Sequence, residues 1–310
     1  VTAQGSALRT VWDPAGPAGL PFGSNSMQHG TAVFEGIRCY ATERGPAVFR
    51  LDDHLRRLLA SARHLGVPHD YDLPRLRERV LAAARTAGPD GAYLRPVLYT
   101  PDGQLGVDLA RFRFVLAVEV YATAGDTGTA LPAGVRLTVS PWRRPAASSF
   151  PTQVKATGTY VVSALARTAA VAQGFDDAIQ LDPVSGRVAE ATVANVFLAR
   201  DGRLLTPWLS DGLLAGITRD TVLVLARRLG IEVAEGPVEP ADLRRAQEVF
   251  LTGTAAELVP ATAVDGHRTD PRGPLFRAVA EAFRDTVRGR RFQDLGWLTH
   301  TSETHRANAV

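Results

Sequence analysis

A two-domain α+β fold is the expectation for this sequence, and three observations lead to it. Helix-period and strand-period segments are intermingled in both halves, without the regular alternation of a doubly wound sheet. The chain of 310 residues is longer than one small hydrophobic core needs. A run of small and polar residues, ATAGDTGTALPAG over 122–134, breaks the apolar patterning near one third of the length. The expected organisation is a first domain over 1–121, a linker over 122–134 and a second domain over 135–310.

The elements follow in chain order. TAVFEGIRCYA and PAVFRL read as strands joined by a turn at 43–46. In LDDHLRRLLASARHLGVP, residues Leu55, Leu58, Leu59, Ala62 and Leu65 recur at helical spacing. Asp52 or Asp53 is expected to cap that helix, and Gly66 and Pro68 to stop it. A second helix is predicted over 73–87, ending at Gly88-Pro89. AYLRPVLYT and FRFVLAVEVYA are rich in β-branched and aromatic residues and read as strands, so the first half is expected to be largely antiparallel. Past the linker come a strand in VRLTVSPW, a loop PAASSFPTQ, Lys155, and a helix over 159–173. DDAIQLD and GRVAEA form a predicted hairpin around 183–186, and ANVFLAR and RLLTP another on Asp201-Gly202. A helix over 218–229 ends at Gly230. No GxGxxG motif follows a strand, which argues against a dinucleotide fold.

Composition excludes several classes of function. Hydrophobic residues at 45% and charged residues at 22% are those of a soluble globular protein. A net charge of +3 is too slight to recruit nucleic acid, and the Arg pairs at 143–144, 227–228, 244–245 and 290–291 read as solvated faces. No run of 18 apolar residues occurs, so no membrane span is expected. Cys39 is the single cysteine, which precludes an intrachain disulfide and fits a reducing compartment. The N-terminal VTAQGSALRT has no apolar signal core, and the expectation is a cytoplasmic protein. The seven histidines lack metal-ligand spacing, so no metal site is expected.

The 35 basic residues comprise 34 arginines and one lysine, Lys155. Arginine can replace lysine wherever a surface charge or salt bridge is needed, but it cannot form a Schiff base. The surviving lysine is therefore a candidate catalytic amine, set against the plain alternative of a leftover surface residue. Lys155 lies in PTQVKATGTY, just ahead of a helix. Glu190 lies at a strand end among apolar residues in GRVAEATVANVF, and Gly216-Ile217-Thr218 open a helix. An amine, a partly buried carboxylate and an anion-binding helix start are the three parts that pyridoxal 5'-phosphate requires.

The spacing of these parts resembles a known signature. From Glu190 to Arg219 the chain reads EATVANVF, then LLT, then LAGITR, with Glu190, Asn195, Phe197, Thr206, Gly216, Ile217 and Arg219 at the positions of the class IV, or fold-type IV, pyridoxal-phosphate aminotransferases. HGTAVFEGIRCY, HLRRLLASA, AYLRP, SFPTQVKATGTY, VFLTGTAAELVP and the tail LGWL resemble blocks of the branched-chain amino acid aminotransferases. This resemblance implies a small α/β N-terminal domain, a larger pseudo-barrel α/β C-terminal domain, and at least a homodimer. It also implies roles. Lys155 would carry the cofactor covalently and shuttle the substrate's α-proton. Glu190 would face the pyridine nitrogen, in the neighbourhood of Asn195, and Tyr160 would hydrogen-bond the phenolic oxygen. Arg57, Gly216, Ile217, Thr218 and Thr254 would hold the phosphate. Thr254 and Ala255, with Tyr93, would receive the substrate's α-carboxylate, and Arg95 the side-chain carboxylate of glutamate. Phe34 and Gly36 would line the side-chain pocket, the glycine leaving room, and His29 would reach the partner's site.

Read without the resemblance, Arg57 is a solvated arginine off the apolar stripe of its helix, and Glu190 is a strand-end ion pair with Arg187. The sequence also departs from the branched-chain pattern. His29 stands where a tyrosine is usual, Ala191 for glycine and Ala194 for glutamate. The interdomain loop lacks its tryptophan and tyrosine, with only Tyr121 nearby. The N-terminal strand is poorly matched in VWDPAGPAGLPFG. These changes point to a relaxed or redirected pocket. They leave D-amino acid or (R)-amine transamination, or aminodeoxychorismate-type lysis, as alternatives on the same scaffold. A cofactor-free binding protein that kept the fold is the alternative from a different class.

Overall fold

The computed structural model describes residues 8–12, 21–123 and 133–302. Residues 124–132 of the expected linker lie outside the described residues. The chain divides into two compact units, Val1–Thr127 with Val154–Gly158 and Asp285–Val310, and Gly128–Gln153 with Thr159–Arg284.

Seven strands form the sheet of the first unit: β1 (Leu8–Trp12), β2 (Val33–Phe34), β3 (Ile37–Tyr40), β4 (Ala47–Phe49), β5 (Gly91–Tyr99), β6 (Val115–Ala122) and β16 (Leu298–His300). Their order is β1-β6-β5-β3-β4-β16, with β2 beside β5, and every pairing is antiparallel, as expected. β1 forms on β6 and takes in only Val11 and Trp12 of the poorly matched VWDPAGPAGLPFG, whose residues 13–20 lie outside the described residues. Three helices accompany the sheet: α1 (Asn25–His29), α2 (Leu51–Leu65) and α3 (Leu73–Arg85). The start of α2 differs from the expectation. Its N-cap is Arg50 in the left-handed region, with no side-chain cap, while Asp52 and Asp53 sit in the first turn, where they complement the helix dipole. Gly66 closes α2 at φ 66°. The LGWL tail docks on the same region. Arg50 N–H donates to the Trp297 carbonyl at 2.7 Å, and the Trp297 ring meets Phe49 edge-on at 5.7 Å.

The lysine segment is sewn to the first unit. Phe34 N–H donates to Lys155 O at 3.1 Å, Thr157 N–H to Ala32 O at 2.9 Å and Gly158 N–H to Gly30 O at 3.0 Å. This pairing runs antiparallel to β2.

The second unit has a mixed sheet of nine strands: β7 (Val135–Val139), β8 (Asp177–Leu181), β9 (Val188–Ala191), β10 (Asn195–Arg200), β11 (Arg203–Pro207), β12 (Val233–Gly236), β13 (Glu248–Gly253), β14 (Glu257–Val264) and β15 (His267–Arg268). Their order is β12-β11-β10-β13-β14-β7-β8-β9, with β15 on β14. β11–β12, β14–β7 and β7–β8 are parallel. The helices are α4 (Tyr160–Ala172), α5 (Ile217–Arg228), α6 (Pro240–Arg245) and α7 (Pro274–Val287), whose last turn belongs to the first unit. The β10–β11 hairpin turns on Asp201 and Gly202 at φ 54° and 77°, the pair of positive angles that an Asp-Gly turn of this hand requires. Buried Phe197 and Phe250 stack at 5.2 Å between ring centroids, with Phe276 of α7 5.4 Å from Phe250. α7 was not anticipated.

Candidate active site

In the first unit the site residues grow from α2 and the strands beside it. His54, Arg57 and Ser61 recur at helical spacing, so one face of α2 carries an imidazole, a guanidinium and a hydroxyl. Ser61 Oγ accepts from the Lys155 backbone N–H at 3.1 Å. Together with the Phe34 bond to the Lys155 carbonyl, this fixes the lysine backbone on both sides. The Lys155 Nζ lies 5.1 Å from the centroid of the Phe34 ring.

Arg57 is not a solvated arginine. Its side chain is only 13% exposed, and it donates through Nε to Glu35 Oε1 at 2.6 Å and through Nη2 to Glu35 Oε2 at 2.8 Å. Such a two-bond fork fixes the plane of the guanidinium. His54 Nδ1 lies 2.8 Å from the same Glu35 Oε2. Burial would raise the Glu35 pKa, but the Arg57 charge and hydrogen bonds, followed by those of His54, hold it well below the usual carboxylate range. Burial pushes His54 down, against the raising pull of Glu35; the Arg57 and Lys155 charges add to the fall.

The predicted pocket residues Phe34, Tyr93 and Arg95 lie in this unit. Arg95 sits over the Phe34 and Tyr93 rings at 5.3 and 5.5 Å. The room above Gly36 is filled by protein: a methyl group there would overlap the Tyr93 hydroxyl. The glycine therefore seats Tyr93. His29 is exposed at the end of α1, its Nδ1 3.2 Å from Asn25 Nδ2.

In the second unit, Glu190 projects from β9 and is 7% exposed. It meets Arg144 Nε at 3.1 Å and accepts from Asn195 Nδ2 at 3.0 Å and Leu214 N–H at 3.2 Å. The strand-end pairing with Arg187 does not form, because Arg187 binds Asp211 instead. Arg144, read from sequence as part of a solvated pair, is 8% exposed and holds Glu190. Asn195 also donates to the Leu214 carbonyl at 2.9 Å. Gln153 donates to the Leu213 carbonyl at 2.9 Å and accepts from Ala215 N–H at 3.1 Å. The loop leading into α5 is thereby fastened on both sides. α5 begins after Gly216 with no side-chain cap, and a methyl at Gly216 would collide with Asn195 Oδ1. Ile217 and Thr218 are both buried at this helix start. Tyr160 opens α4 and is half-buried, while Thr254 and Ala255 form the turn between β13 and β14.

These donor sets fit pyridoxal phosphate. The first unit holds a primary amine on a fixed backbone and an oriented guanidinium, which suit an aldehyde and a phosphate; the second holds a buried carboxylate fixed by three nitrogen donors and an uncapped helix start, which suit a pyridine nitrogen and a phosphate. Sequence reasoning missed Glu35, His54, Ser61, Gln153 and Arg144. A carboxylate inside the apolar run AVFEGI was the available signal for Glu35, since such a group needs buried partners.

Comparison with known proteins places the chain among relatives along most of its length. The family model described as amino-transferase class IV matches residues 32–264. The branched-chain-amino-acid aminotransferase of Escherichia coli (strain K12) is 36% identical over 284 residues, covering 90% of this chain and 92% of that protein. A branched-chain aminotransferase from the thermophilic archaeon Thermoproteus uzoniensis, solved with norvaline, matches with a TM-score of 0.86 at 37% identity, covering 96% of this chain and 100% of that one. The branched-chain amino acid aminotransferase of Thermobaculum terrenum, solved in its PLP (holo) form, gives a TM-score of 0.86 at 32% identity, covering 92% of this chain and 94% of that one.

Proposed function

This chain belongs to the class IV aminotransferases, and from that membership we propose that it transfers the α-amino group of branched-chain L-amino acids to a 2-oxo acid such as 2-oxoglutarate. It is an aminotransferase of the two-domain α+β, fold-type IV kind that the sequence led us to expect. Class IV aminotransferases depend on pyridoxal phosphate, and the similar Thermobaculum terrenum enzyme was solved in its PLP form. We therefore assign the same cofactor to this chain. The relatives' branched-chain names favour this reading over the D-amino acid, amine and aminodeoxychorismate alternatives.

The observation that carries the proposal is the setting of the only lysine, whose backbone is held by Ser61 and Phe34. When bound, the cofactor supplies an aldehyde that accepts the amino group and a ring that takes up electrons from the substrate's α-carbon. Lys155 would be its point of attachment, and the lysine's free amine would move the proton at that carbon. Glu190, paired with Arg144 at 3.1 Å, would face the ring nitrogen and favour its protonated form. Asn195 orients Glu190 through its 3.0 Å bond. Tyr160 would donate to the phenolic oxygen. Arg57, oriented by Glu35, would bind the phosphate, as would Ile217, Thr218 and Thr254. Tyr93, with Thr254 and Ala255, receives the substrate's α-carboxylate. Phe34 walls the side-chain pocket, and Arg95 meets the side-chain carboxylate of glutamate.

We infer at least a homodimer. An apolar stripe on α4 supports it, with Val161, Leu165 and Val171 exposed at 62%, 42% and 56%. Initial-rate kinetics with L-leucine, L-isoleucine or L-valine and 2-oxoglutarate test the activity. The expected result is L-glutamate formation with the parallel-line pattern of a two-stage transfer. Activity confined to D-amino acids or simple amines would refute the assignment.

A further inference from the structure

The substrate face of the first unit carries a charge that the proposed reaction leaves unexplained. β5 and β6 pair in a register that sets Tyr93 opposite Tyr121 and Arg95 opposite Glu119. Opposed residues, and residues two apart along a strand, share a face of the sheet, so these four side chains stand together. The Tyr93 and Tyr121 rings are 6.0 Å apart, and the Tyr121 hydroxyl donates to Glu119 Oε2 at 3.0 Å. Arg95 Nη2 makes a long bond of 3.4 Å to the Tyr93 hydroxyl. Its Nε is buried with no hydrogen-bond partner among the described residues. The guanidinium thus rests on aromatic faces with an unmet N–H, while a carboxylate anchored to Tyr121 stands on the neighbouring strand. Burial works against the Arg95 charge, but Tyr93, Tyr121 and Glu119 together hold its pKa above the ordinary value.

We propose that Glu119 is a specificity-determining residue: its charge beside Arg95 weakens that arginine's hold on a substrate's side-chain carboxylate and shifts the pocket toward uncharged aliphatic side chains. The inference rests on Arg95 being the group that reads a dicarboxylate substrate. A second carboxylate arriving at Arg95 comes into the field of the Glu119 charge on the neighbouring strand and is repelled by it. On a half-buried face, salt screens that repulsion weakly. An aliphatic chain meets no such opposition and finds apolar surface on Phe34. Discrimination then comes from an unfavourable contact with the wrong substrate as much as from a favourable one with the right substrate.

Glu119→Gln keeps the shape and the acceptor for Tyr121 but removes the charge. Measured with 2-oxoglutarate and 4-methyl-2-oxopentanoate as acceptors, it raises the kcat/KM ratio in favour of 2-oxoglutarate by about tenfold, chiefly through KM. Glu119→Asp keeps the charge and leaves the ratio within about twofold of the parent. Dissociation constants of glutarate and 4-methylpentanoate, which have no group to transfer, shift in the same sense and need no turnover. A ratio unmoved in Glu119→Gln, or moved equally by Glu119→Asp, overturns the proposal. Arg95→Gln separates the two levels of the claim. If it lowers the ratio while Glu119→Gln does nothing, the role of Glu119 alone is wrong. If it leaves the ratio unchanged, Arg95 does not read the side-chain carboxylate, and both readings fall.

Discussion

Glu35 is fully buried, and a buried carboxylate survives only where charge and hydrogen bonds replace its lost hydration. Arg57 and His54 supply three contacts of 2.6 to 2.8 Å. Removing the carboxylate takes an ion pair and two hydrogen bonds from a guanidinium that is only 13% exposed. Glu35→Ala should therefore lower unfolding free energy by about 3–5 kcal/mol, as read by urea denaturation at neutral pH. An unchanged midpoint would mean that Arg57 has another full set of partners. The pH dependence has a definite sign. Both Glu35 and His54 have pKa values lower in the folded protein than their ordinary ones, so the unfolded chain binds more protons on acidification. Their contribution is complete above the ordinary histidine value of 6.5 and is lost progressively as pH falls below it. At this scale the sequence revealed Lys155, because arginine had taken every other cationic position. It hid Arg144, because an Arg-Arg pair next to a tryptophan looks the same whether it faces water or a buried carboxylate.

Elements with local punctuation were legible. Gly66 ends α2 and Gly230 follows α5, both with positive φ, and the Asp201-Gly202 turn forms as its chemistry demands. α7 went unseen although Phe276, Val279, Ala280, Phe283 and Val287 are buried at helical spacing. Its start is held by Glu248 of β13, which accepts from Leu275 N–H at 3.2 Å and Phe276 N–H at 2.6 Å, a cap from a distant strand that leaves no local motif. The α5 start supports a second prediction. Gly216 has φ −70°, so a side chain there would be unstrained by backbone angle and opposed only by Asn195. Gly216→Ala should push Asn195 away from Glu190 and displace the helix start, costing about 1–3 kcal/mol and weakening cofactor binding. Isothermal titration of the apoprotein with pyridoxal phosphate measures this, and an affinity equal to the parent's would show that the contact has slack.

For the molecule as a whole, periodicity and turn residues gave the α+β class and the antiparallel character of the first sheet. The mixed pairing of the second sheet was not readable, because β11–β12, β14–β7 and β7–β8 join strands distant in sequence. Nor was it apparent that Val154–Gly158 clusters with the first unit, since its bonds to Gly30, Ala32, Phe34 and Ser61 join residues distant in sequence. Those bonds matter because the function turns on one amine. Borohydride reduction of the holoenzyme followed by peptide mapping tests this most directly. The account predicts one phosphopyridoxyl group per chain, found on the peptide containing Lys155. An unmodified Lys155 peptide from a protein saturated with the cofactor would contradict it.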